Sequence, residues 1–308
     1  MASRSGEGLV RVVFLGNHTV GVAALSELVS RAKVVGVVAH PNDPEDGVVY
    51  QSVYDYAKNR NLPAIRGKAA ERSVADFIVK AMPDLIWIAD YRYLIPADLL
   101  SIATLGAVNL HPSLLPRYRG RAPINWAIIE GDTELGLTAH FIDEGMDSGD
   151  IIEQVRFELS IYEDVGDALR KLLPLYTSVT GRILRNLQTG KVFRQKQDNS
   201  RATYYPARKP KDGQINWGQS AGAIVNLIRA VATPYPGAFA FLRGIKILIW
   251  KASVAHRCLS GHVGLVIGFE HGAPIVACGE GAVVLRVVEV ADTCSCPIEL
   301  GDRFTMRG

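Results

Sequence analysis

Gly106-Ala107-Val108-Asn109-Leu110-His111-Pro112-Ser113-Leu114-Leu115-Pro116-Arg117-Tyr118-Arg119-Gly120-Arg121-Ala122-Pro123 opens a run that ends in Asp143-Glu144-Gly145-Met146-Asp147-Ser148-Gly149-Asp150, and this run decides how the 308-residue chain is read. Ala107, Val108 and Leu110 predict a short buried strand, and Pro112, Pro116 and Gly120 forbid its continuation. Asn109 and His111 fall where strand becomes loop. Two residues apart on an extended chain, they point the same way. A second apolar strand, Leu137 to Ile142, runs into the loop, whose glycines let the backbone double back. Asp147 is thereby predicted beside His111, at the C-terminal edge of a sheet, the usual crevice for ligands in open α/β folds.

An amide, an imidazole and a carboxylate suit acyl transfer to an amine without a protein nucleophile. Asn109 and a protonated His111 would stabilise the negative oxygen that develops. An ionised Asp147 would favour the imidazolium and raise the pKa of His111. Residue types alone leave a second reading open, in which His111 is hydrogen-bonded structure and the proline-rich loop only a turn.

The stretch Asn109-Leu110-His111-Pro112-Ser113-Leu114-Leu115-Pro116, with Arg119-Gly120-Arg121-Ala122-Pro123 and the 143–149 loop, resembles the signature of formyltransferases that use 10-formyltetrahydrofolate. The resemblance implies a catalytic trio of Asn109, His111 and Asp147. It implies that Tyr93, Leu94 and Ile95 hold the pterin, that Asp143, Glu144, Gly145 and Met146 supply the other wall, and that Arg121 contacts the folate. Backbone amides and carbonyls of those segments could read the pterin edge. No metal is implied.

Working outward, the first half alternates strand and helix patterns. Strands are predicted at Val10–Leu15, Val34–Ala39 and Asp84–Ala89, with helices at Val20–Ser30, Gln51–Arg60 and Glu71–Ala81. Such alternation implies a parallel sheet. Gly16-Asn17-His18-Thr19-Val20-Gly21 lacks the glycine spacing of a dinucleotide fingerprint, so a tight strand-to-helix turn is expected. A strand over Asp150–Ser160 and a long amphipathic helix over Glu163–Thr189 close this part.

The chain is therefore divided into a tail (1–9), an α/β, Rossmann-like catalytic domain (10–190), a polar, basic linker (191–213) and a small C-terminal domain (214–308). The last begins with a helix over Ser220–Ala232. Short strand runs with glycine turns follow, suggesting a small β-barrel. The family resemblance implies an OB-like barrel at this place.

A formal charge of +3, spread over the chain, predicts no strong field for nucleic acid or membrane. No apolar run reaches membrane-spanning length, and residues 1–8 lack the apolar core of a secretory signal, so a cytoplasmic protein is expected. Cys258, Cys278, Cys294 and Cys296 are expected to be free thiols. Cys258 and His262 lie near one another in sequence, but the paired Cys-x-x-Cys spacing of a structural zinc site is missing.

Within the family, the substrate is approached through the segment after the second strand. Initiator-tRNA formyltransferases carry a basic loop there, suited to phosphates. Here residues 40–50 are acidic and short. That segment, Tyr91–Ile95, Arg119-Gly120-Arg121-Ala122-Pro123-Ile124-Asn125-Trp126 and Val231–Phe239 are similar to the formyltransferase domain that modifies UDP-4-amino-4-deoxy-L-arabinose. This likeness implies a nucleotide-linked amino sugar as the small-molecule partner, with no nucleic acid. Methionyl-tRNA or another small amine is the alternative. Arg208, Lys209 and Arg229 are candidates for binding the nucleotide, since cationic donors suit phosphates. Their alternative is a solvated basic linker and a helix-surface arginine.

Overall fold

The computed structural model describes residues 9–41, 50–256, 261–291 and 296–306. Residues 1–8, most of the acidic loop (42–49), Cys258 and Cys294 lie outside them.

In chain order the first sheet is built from β1 (Arg11–Gly16), α1 (His18–Arg31), β2 (Lys33–Ala39), α2 (Val53–Lys58), β3 (Ala64–Arg66), α3 (Arg72–Ala81), β4 (Leu85–Ala89), α4 (Ala97–Leu100) and β5 (Ala107–His111). The central strands β1 and β4 are short apolar runs buried on both faces, as parallel strands covered by helices must be, while the edge strand β3 is half-buried. Phe14, Trp87 and Leu110 face α1. Leu15, Ile86 and Ile88 face α3. Burying each such side chain contributes roughly 1.5–3 kcal/mol.

The chain then changes direction. After β6 (Arg119–Gly120) and α5 (Pro123–Ile129), β7 (Glu134–Phe141) enters antiparallel to β5, and β8 (Ile151–Glu158) follows antiparallel to β7. The seven-stranded order is β3-β2-β1-β4-β5-β7-β8. Neighbouring strands pair in parallel only among the first five; β7 alone runs against them, and β8, antiparallel to β7, runs with them, so the sheet of the sequence reading acquires two antiparallel pairings on the site side.

Helix α6 (Val165–Gln188) returns across the face lined by α1. It starts on a reciprocal cap, in which Asp164 accepts from the Asp167 amide and Asp167 from the Asp164 amide. The polar stretch after α6 carries β9 (Tyr204–Tyr205), which pairs in parallel with β6.

Helix α7 (Ala221–Ala230) precedes a second sheet of β10 (Ala238–Leu242), β11 (Ile245–Val254), β12 (Val266–Glu270), β13 (Ala273–Ala277), β14 (Ala282–Val290) and β15 (Phe304–Thr305). Its order is β12-β13-β14-β11-β10-β15, antiparallel throughout. The outer strands meet through a Leu265–Arg303 bridge, with Phe304 N–H donating to Gly264 O and Val266 N–H to Asp302 O, both at 2.8 Å. The sheet thus curls towards a barrel around Ile249, Val283 and Leu285. Helix α7 packs on α5, and Asn125 donates to the Ala230 carbonyl at 2.8 Å across that junction.

Candidate active site

Strand alternation puts Ala107 on the α3 side of the sheet and Val108 and Leu110 on the α1 side, leaving Asn109 and His111 as polar residues at the end of β5. The antiparallel register of β7 sets His140 directly opposite Asn109. The loop after β7 then folds back. Asp147 adopts a left-handed backbone (φ 51°), and a Cβ at Gly149 would lie 1.9 Å from the Phe141 carbonyl oxygen, so only glycine fits there.

The Asp147 carboxylate arrives between the two strands. Oδ2 accepts the Gly120 amide at 2.8 Å and stands 3.7 Å from His111 Nδ1. Oδ1 stands 3.6 Å from His140 Nε2 and 3.5 Å from Asn109 Nδ2. The expected trio is therefore assembled in space. The sequence reading missed its fourth member, His140, because a strand pattern states neither direction nor register.

Carbonyl partners fix the tautomers. His111 Nε2 lies 2.8 Å from the Tyr118 carbonyl and His140 Nδ1 lies 2.8 Å from that of Phe141, so both nitrogens must carry hydrogen. In the neutral rings, His111 Nδ1 and His140 Nε2 are acceptors. His140 Nε2 takes one N–H of Asn109 at 3.2 Å, and the other Asn109 N–H reaches only loosely towards Asp147.

Burial alone would push Asp147 up, but His111, His140 and the Gly120 amide outweigh it and hold the carboxyl well below the usual range. His111 goes the other way from expectation. Burial lowers its pKa, and the charge of Asp147 opposes that only in part. The two shifts pull against each other across one 3.7 Å contact: a charged His111 is what lowers Asp147, and burial opposes that charge. With its Nε2 hydrogen committed to the Tyr118 carbonyl, a neutral His111 presents Nδ1 as an acceptor beside the carboxylate.

Asn109, His111 and Asp147 line a cavity of about 310 Å³, whose wall also includes Arg121, Arg208 and Lys209. Arg208 crosses the ring of Trp126 at 4.8 Å and donates to the Asp212 carbonyl. Arg229 is a correction. It does not line the cavity; its guanidinium donates to the carbonyls of Ser160 and Glu163 and to Asn226 Oδ1, joining α7 to the turn before α6. Tyr93, Leu94 and Ile95, expected to hold the pterin, directly follow two residues of the cavity wall, Tyr91 and Arg92, and Leu94 is 88 % exposed. Asp143, Glu144, Gly145 and Met146 precede the lining residue Asp147 without lining the cavity themselves.

Among the described residues, His40 Nδ1 and Tyr176 Oη in the wall have no hydrogen-bond partner. His40 accepts the Arg92 amide at Nε2, leaving Nδ1–H buried. Tyr176 is fully buried. Cys278 and Cys296 are free thiols, and among the described residues no group of three His, Cys, Asp or Glu could hold a metal. No helix among them is long and apolar enough to cross a membrane.

Residues 10–177 match the formyl transferase family and residues 208–299 its C-terminal domain. The chain is 34 % identical over 284 residues to a methionyl-tRNA formyltransferase of Geobacter metallireducens, covering 91 % of this chain and 90 % of the relative. The enzyme of the same name from Geobacter sulfurreducens is 31 % identical over 286 residues, 91 % and 89 % of the two chains. Among solved structures, the sugar 3N-formyl transferase WlaRD, crystallised with dTDP and 5-N-formyl-THF, superposes with a TM-score of 0.68 at 19 % identity, over 93 % of this chain and 99 % of that one. With both of its halves matched and full-length relatives at a third identity, this chain belongs to the formyl transferase family and is a folate-dependent formyltransferase.

Proposed function

We propose that the Asn109, His111 and Asp147 corner of the cavity transfers a formyl group from 10-formyltetrahydrofolate to the primary amine of a phosphate-bearing acceptor. The observation that carries this is the geometry of the corner: His111 Nδ1 stands 3.7 Å from Asp147 Oδ2, with its Nε2 hydrogen held by the Tyr118 carbonyl, so that a neutral ring offers Nδ1 as an acceptor. An amine that forms a bond to the formyl carbon must shed a proton, and this acceptor would take it. The loosely held second N–H of Asn109 turns to the formyl oxygen as it becomes negative. His111 then returns the proton to the folate nitrogen as its bond to the formyl carbon breaks, releasing the N-formyl product and tetrahydrofolate.

The residues fit the folate carrier, which supplies the formyl carbon and a nitrogen leaving group. Exposed Met146 adjoins the lining residue Asp147 and exposed Leu94 lies two residues beyond the lining residue Arg92, so both can offer apolar contact to a flat ring, and His40 Nδ1–H offers a donor in the wall. Arg121 is placed to meet an anionic part of the carrier.

For the acceptor there are two readings. The full-length relatives, both methionyl-tRNA formyltransferases, favour aminoacylated tRNA and support it better than they support a sugar. A nucleotide-linked amino sugar is supported by the cavity itself, whose size suits a small molecule and whose junction side carries Arg208 and Lys209 for a diphosphate.

Tetrahydrofolate release is to be measured with initiator methionyl-tRNA and with UDP-, dTDP- and GDP-linked amino sugars. Turnover with tRNA alone selects the first reading, and turnover with one sugar and no tRNA selects the second. Near-normal turnover by His111→Asn or Asp147→Asn would sink the mechanism.

A further inference from the structure

The stretch expected to be a plain linker is fastened to the active-site loop. Thr203 Oγ1 accepts the Tyr118 amide at 2.8 Å, Thr203 O the Arg119 amide at 2.9 Å, and Tyr205 O the Arg121 amide at 3.0 Å. Beneath this strap lies the Arg119 side chain, whose residue is 1 % exposed. No carboxylate pairs with it among the described residues.

Each of its three nitrogens meets a neutral oxygen of the strap. Nη1 donates to Tyr204 Oη at 2.8 Å, and Nη2 to Gln197 Oε1 and Asn199 Oδ1, both at 2.7 Å. Nε also reaches Gln197 Oε1, at 3.2 Å. With its oxygen held on the cation, the Gln197 amide can turn only one way. Its Nε2 donates to the Asp147 and Gly149 carbonyls, both at 2.8 Å. Turned over, the amide would set N–H against guanidinium and oxygen against two carbonyls, so Arg119 fixes the orientation.

We infer that Arg119 and Gln197 are positioning residues for formyl transfer: the guanidinium locks the Gln197 amide, which clamps the carbonyls of Asp147 and Gly149 and holds the Asp147 carboxylate against His111. The inference rests on the proposed roles of Asp147 and His111. The clamp acts where it is needed, since Asp147 has a left-handed backbone that nothing in its own side chain enforces. A cation also serves the site in a second way. The groups acting on His111 are Asp147, the Tyr118 carbonyl, His140 and Arg119, and the last two oppose its protonation. Arg119 thus helps keep Nδ1 free to accept a proton.

The test compares Gln197→Met, Arg119→Lys and Arg119→Gln with Asp147→Asn, all in the full chain, by tetrahydrofolate release with the acceptor that turns over, and by thermal melting. Gln197 is only partly buried, so Gln197→Met is expected to melt with the parent. It should lose at least tenfold in kcat with the KM for 10-formyltetrahydrofolate within twofold. Arg119→Lys, which keeps the charge without the fork, should lose as much. Arg119→Gln should in addition move the acid limb of the kcat/KM profile to higher pH, while Gln197→Met leaves the limb in place. If Gln197→Met melts early, Gln197→Glu, which keeps a partner for Arg119 but cannot donate to the carbonyls, replaces it with the same expected loss of kcat.

A kcat within twofold of the parent in the Gln197 variants, or a change confined to KM or to melting, while Asp147→Asn is inactive, overturns the inference. An active Asp147→Asn removes instead the reading on which it rests.

Discussion

The two sheets solve opposite problems. All the buried polar or charged side chains of the described residues except Arg229 precede residue 190, and Asn109's neighbours His111, Thr138 and His140 share the end of one strand pair. The curled sheet of residues 238–305 has a core of Ile247, Ile249, Val276, Val283 and Leu285, with no buried charge among its described residues. One body places imidazoles and a carboxylate where hydrocarbon would stabilise more. The other is packed as stability alone would dictate.

Substitutions can separate these properties. The largest effect belongs to the site: Asp147→Asn is expected to lower kcat at least about 10³-fold, about 4 kcal/mol of barrier, with an unchanged circular dichroism spectrum. In the curled sheet the consequence reverses. Ile249→Ala, at a fully buried position, should lower unfolding free energy by roughly 2–5 kcal/mol in urea titrations while kcat at 25 °C stays within about twofold.

Acid should discriminate next. Burial, with Arg92 and Arg121 nearby, lowers His40 to about 3, and burial also lowers His111. The unfolded chain binds these protons near the ordinary histidine value of about 6.5. The stability they confer is full above that value and lost as pH falls, down to about 3 for His40. Unfolding free energies from urea titrations should therefore be level near pH 7.5 and fall between about pH 6 and 4.5 with a slope approaching about 1.4 kcal/mol per pH unit from His40, His111 adding to it. A flat profile would mean that neither ring is held neutral. The smallest effect belongs to the surface: Arg156→Ala breaks an exposed pair with Glu134 and should shift stability by less than about 1 kcal/mol.

Much of the sheet was legible because apolar runs such as Val10–Leu15 and Leu85–Ala89 can be buried only between helices. The trio was legible because Asn109, His111 and Asp147 belong to a long ordered signature. What stayed hidden depends on pairing between distant residues. The antiparallel entry of β7 brings in His140, and a strand's period is the same in either direction. The two-residue strands β6 and β9 are too short to leave a pattern, so the fastening of residues 195–205 reads as polar coil. Arg229 was misassigned for a related reason: a basic side chain reads as a phosphate ligand until the carbonyls of Ser160 and Glu163 are seen around it.

The meeting of Leu265 with Arg303 has a consequence beyond packing. A sheet whose two outer strands hydrogen-bond to each other offers little free backbone for another chain to extend. In the larger sheet the outer strand β8 is met at Ile151 by Gln195, and the opposite outer strand, β3, has three residues. At those points, contact between copies of this chain would be made by side chains, which surface charge can tune, and not by the strand-on-strand growth that leads to fibres.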